Sequence, residues 1–75
     1  MIVWIQFANA FAQWAKTGDR DDCKGIVASY AHITRQPTID VLTALSVSLM
    51  DSTGFEYEEY NAIRNTITDL MKEAR

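Results

Sequence analysis

At 75 residues, the chain amounts to one domain, near the lower size at which a single apolar core holds a fold without disulfides or metals. Its 48% apolar content, with eight aromatic side chains, excludes intrinsic disorder, and its net charge of −3 opposes the phosphate attraction that supplies most nucleic-acid affinity. One cysteine excludes an intrachain disulfide framework, so a reducing compartment, the cytoplasm, is expected.

Trp4, Phe7, Phe11 and Trp14 are spaced three, four and three residues apart, which at 100° per residue sets them on one stripe of a helix. Gln6, Asn9, Gln13 and Lys16 repeat that spacing on the opposite side. The pattern predicts an amphipathic helix over residues 1–17 whose aromatic stripe is the keystone of the core. The same polar residues interrupt any apolar run of about 20 residues, so no membrane span is expected. Ala8-Asn9-Ala10 imitates a signal-cleavage site, but no basic residue precedes Lys16, and a cleaved signal peptide is not expected either.

Gly18, just past Lys16 and Thr17, reads as a helix stop. Asp19 is placed to cap a second helix, with Asp21 and Asp22 in a first turn where the exposed N–H groups favour carboxylates. That helix carries Cys23, Ile26, Val27, Tyr30 and Ile33 at helical spacing, weakened by Gly25 in its interior. Pro37 ends it, and Thr38 is the expected N-cap of a third helix through Ile39, Leu42, Leu45, Leu49 and Met50. The β-branched Val41, Thr43 and Val47 would also suit a strand, but no second strand is available to pair with it. With Val41 and Val47 off its main stripe, the third helix is expected at the centre of the molecule.

Asp51-Ser52-Thr53-Gly54 reads as a turn, and Thr53 with Glu56 three residues later matches a capping box. A fourth helix follows, with Tyr60, Ile63, Ile67, Leu70 and Ala74 alternating by three and four. The fold class expected is all-α: a single-domain compact bundle of about four short helices.

Residues able to carry chemistry are few. His32 and Cys23 lie nine apart on one helix, half a turn out of phase, so they cannot form a nucleophile and base pair. His32 is expected at the exposed end of its helix and Cys23 in the core. Asp19, Asp21 and Asp22 imitate a calcium loop, but Cys23 stands at the third acidic position, Lys24 at the glycine, and Tyr30 where a bidentate Glu belongs. One cysteine and one histidine do not make a zinc site. No phosphate loop, dinucleotide fingerprint or nucleophile elbow occurs, and neither catalysis, a cofactor nor a metal is expected.

The segment from Ala28 to Leu42, with Tyr30, Ile33, Thr34-Arg35-Gln36, Ile39 and Leu42, resembles the helix-turn-helix DNA readers. It departs from them in holding His32 where the turn glycine usually sits, and in Pro37, which shifts the next apolar positions by one. The resemblance implies a dimeric regulator in which Arg35 and Gln36 reach bases or phosphate, with Asp40 facing the backbone.

Charge is unevenly spread: residues 38–59 hold five acids and no base. Asp51, Phe55, Glu56, Tyr57, Glu58 and Glu59 combine acid with aromatic surface, a composition suited to a basic partner. Carboxylates at the first turn of a helix have a purely local reason as well, the helix dipole. The function expected is a non-catalytic module that binds, and regulates or inhibits, a protein partner through this surface. A homodimer is expected too, because covering every apolar stripe within so short a chain is difficult. A membrane-surface role for the Trp4 to Trp14 stripe ranks below both, since its polar face has Lys16 as its one base.

Overall fold

The computed structural model describes residues 3–50 and 54–74. In it the chain is a bundle of four α-helices: α1 (Trp4–Ala15), α2 (Arg20–Thr34), α3 (Thr38–Met50) and α4 (Tyr57–Ala74), with no strand among the described residues. Each helix contacts the other three. Trp4 meets Tyr30 edge-on at 5.6 Å, which lays the start of α1 beside the last turns of α2.

The connections follow from backbone hydrogen bonding. Gly18 adopts a left-handed φ of 79°. Its N–H reaches Ala15 O at 3.1 Å and that of Asp19 reaches Trp14 O at 3.1 Å, the Schellman ending that glycine favours. Asp19 then opens α2, its Oδ1 accepting from the Asp22 N–H at 3.2 Å. A single residue thus closes one helix with its N–H and caps the next with its carboxylate. α2 ends in the same pattern, with Gln36 N–H on Ala31 O at 2.9 Å, but Arg35 takes the left-handed position at φ 55°. The strained residue of this turn is Arg35 rather than the position of His32.

Two helix starts differ from expectation. Thr38 is the first residue of α3 rather than its cap, because the Pro37 carbonyl already accepts from Asp40 N–H at 3.0 Å and Val41 N–H at 3.3 Å. Thr53 lies outside the described residues, and α4 begins at Tyr57. Glu56 is therefore the residue before the helix instead of the third residue within it. Its N–H donates to Glu59 Oε1 at 3.2 Å, which is the reciprocal half of a capping box set three residues later than the sequence indicated.

The core is aliphatic around an aromatic centre. Phe7 and Phe11 are fully buried, Tyr30 stacks on Phe7 at 4.1 Å, and Leu42, Leu45, Val27, Val41, Ile63, Ile67 and Leu70 close around them. The aromatic stripe of α1 divides: Trp4 is half-buried and Trp14 is 39% exposed. Ala8, Ala12 and Ala15 are buried in its place, so the buried face is turned by about 50° from the centre of the stripe. The same happens on α2, where Ala31 is buried while Ile33 is 60% exposed and Ile26 is half-buried. Alanine lets helix axes approach more closely than two large side chains would, and the bulky residues at the edge of each stripe are left at the boundary.

Nor is α3 central. Val41, Leu42, Leu45 and Leu49 face inward, whereas Asp40, Thr43, Ala44, Val47 and Ser48 face outward. On α4, Thr66 is buried among the aliphatics, its hydroxyl donating to Ala62 O at 2.8 Å, so it brings no unsatisfied polar group into the core.

Replacing Phe11 by Ala is expected to cost about 3–5 kcal/mol, a large share of what a domain this small holds, and urea unfolding followed by circular dichroism measures it. Arg35→Gly removes the left-handed strain and is expected to stabilise by about 0.5–1 kcal/mol, seen as a higher urea midpoint with unchanged slope.

Candidate interaction surface

The start of α4 presents the acid and aromatic groups singled out in the sequence, and the structure divides them by role. Phe55 is half-buried and packs on the core, which anchors the approach to the helix. Tyr57 follows at 79% exposure, with Glu56 and Glu58 exposed on either side of it in the chain. Glu59 is occupied: it accepts from the Glu56 N–H and its other oxygen lies 3.6 Å from Lys16 Nζ. Asp51 lies outside the described residues. The part of this cluster left exposed is therefore Glu56, Tyr57 and Glu58, at a helix start whose unpaired N–H groups favour negative charge.

The ion pair to Lys16 belongs to a seam. Lys16, Arg20 and Lys24, spaced by four, pair with Glu59, Asp69 and Glu73 of α4, the last at 3.7 Å. The Arg20 and Lys24 pairs are largely solvent-accessible and contribute about 0–1 kcal/mol each, while Lys16 and Glu59 are half-buried. The three bases thus face carboxylates of α4, while Glu56 and Glu58 take part in no ion pair among the described residues.

Elsewhere the titratable groups have structural explanations. Cys23 is fully buried on α2 with Sγ 3.8 Å from Phe11 O, and His32 is exposed on the same helix. Burial first, then the negative charges of Asp19 and Asp22, push the Cys23 thiol from 9.0 up to about 11. Asp22 is raised as well, by its side-chain hydrogen bond with Asp19 and by the charge of Asp19. Among the described residues no three His, Cys, Asp or Glu side chains converge on a metal-sized site. No helix among them is long and apolar enough to cross a membrane.

Arg35 and Gln36, the pair implied by the helix-turn-helix resemblance, both lie in the three-residue turn between α2 and α3. Arg35 is exposed, and Gln36 Nε2 donates to Thr34 Oγ1 at 3.0 Å. The helix that would enter the groove, α3, shows an outward face of Asp40, Thr43, Ala44, Val47 and Ser48, with no cation on it.

Three features went unread in the sequence. Buried Thr66 has no apolar signal to reveal it. Ala8, Ala12 and Ala15 recur at helical spacing, and that repeat was the available clue to the buried face of α1. The pairing of Glu59 with Lys16 joins residues remote in the chain and has no local signature.

No protein-family model matches the chain, and neither a curated protein nor a solved structure matches it.

The Cys23 thiol is expected to resist a disulfide reagent at pH 8 in the native protein and to react fully in denaturant. Between pH 9 and about 11 the unfolded chain has lost the Cys23 proton and the folded chain keeps it. Native protein then binds more protons, so stability falls as pH rises through that window. Wild type is expected to lose more stability there than Cys23→Ala, as compared by urea unfolding at each pH.

Proposed function

We propose that the protein is a non-catalytic helical module that captures a basic protein partner through the first turn of α4. The observation that carries this reading is Tyr57, 79% exposed between two exposed carboxylates, Glu56 and Glu58. Tyrosine is enriched at interface hot spots because its ring supplies large contact area at low entropic cost while its hydroxyl accepts and donates hydrogen bonds. Flanking charge steers a basic partner and sets its register. With Lys16, Arg20 and Lys24 held in the ion-pair seam, the acidic turn has no base of that row free to neutralise it. Regulation or inhibition follows if the captured surface is itself functional in the partner. A reducing compartment, the cytoplasm, suits a chain whose one cysteine is a buried free thiol.

Duplex DNA as the partner is less well supported. The outward face of α3 offers phosphate no positive charge, and Asp40 repels it.

Self-association enters on different ground from the one the sequence provided. Phe7, Phe11, Leu42, Leu45, Ile63 and Ile67 are covered within one chain, so their burial needs no second copy. Val3, Ile5 and Ile33 are exposed as well, and the face without charge that a second copy would cover is the strip of α3 formed by Thr43, Ala44 and Val47. Val47 is 62% exposed, and the Thr43 hydroxyl is already bonded to Ile39 O at 2.8 Å. A strip little longer than one helical turn falls well short of the roughly 1,200 Å² that stable interfaces bury, so any such dimer is weak.

The test of the main reading is a variant carrying Glu56→Lys, Tyr57→Ala and Glu58→Lys, with Glu59 left intact to preserve the cap. Affinity capture from a lysate of the source cell, run beside wild type, identifies proteins retained by wild type alone. Titration of the purified partner is then expected to show at least about 30-fold weaker binding by the variant at unchanged helical circular dichroism. Equal retention by both proteins would overturn the reading. For self-association, sedimentation equilibrium across a hundredfold dilution is expected to show monomer at the low end and dimer only at the top, abolished by Val47→Lys. A dimer that persists in both would place the contact elsewhere.

A further inference from the structure

We draw no further inference here: the strongest candidate, the cleft of about 300 Å³ between α2, α3 and α4 beside Ala28, Ile39 and Ala74, carries nothing, because its floor of Val27, Leu42 and Leu70 is already closed to water, the Lys24 and Glu73 charges at its rim pair with each other, and nothing in the structure shows what covers it.

Discussion

Close approach of α1 to the other helices is the constraint on which the rest of this bundle depends. Phe7 and Phe11 are the largest fully buried side chains, and they reach the centre because Ala8, Ala12 and Ala15 occupy the remainder of the contact face. The stacking of Tyr30 on Phe7 ties α2 to that centre. With large residues at all those positions the helices would stand further apart, and four short helices could not then seal a core at interior packing density. Trp14 and Ile33 lie outside the core for the same reason: space around α1 and α2 is filled by what fits between close axes, and hydrophobicity alone does not admit a side chain.

Helix ends supply the second layer of organisation, and they do so with few residues. Asp19 serves two helices, Arg35 tolerates a left-handed backbone so that three residues join α2 to α3, and Glu59 caps the helix to which it belongs. Each device satisfies backbone groups that would otherwise need water. Connections this short leave the helices few alternative arrangements, which compensates for a small core.

The acidic turn of α4 shows how a local rule and a tertiary contact share one cluster of charges. The helix dipole explains why carboxylates collect there, but it treats Glu58 and Glu59 alike. Lys16 distinguishes them, drawing Glu59 into the bundle while Tyr57 and its neighbours stay exposed. The exposed Tyr57 and its two flanking carboxylates stand on a helix start held at both ends of the turn, by Phe55 packing and by the Glu59 cap.

Much of this was legible in the residues alone, because the signals concerned are local. Apolar repeats by three and four reported four helices, Gly18 and Pro37 reported where two of them stop, and Asp19 reported a cap, since each acts through the backbone within a turn of its own position. The burial of Cys23 followed from its place on a stripe, and the exposure of His32 from its place near the end of its helix. α4 starts three residues past the position that Thr53 and Glu56 indicate, although Thr-x-x-Glu is the better capping pattern: Phe55 packs on the core ahead of the helix, a tertiary contact with no local signature, and Glu59 instead accepts from the Glu56 N–H. Which edge of each apolar stripe enters the core, which face of α3 stays outside, and which glutamate of the acidic turn is occupied were decided by tertiary structure. Those outcomes depend on how closely helix axes approach and on pairs such as Lys16 with Glu59, formed between residues that meet only once the chain has folded.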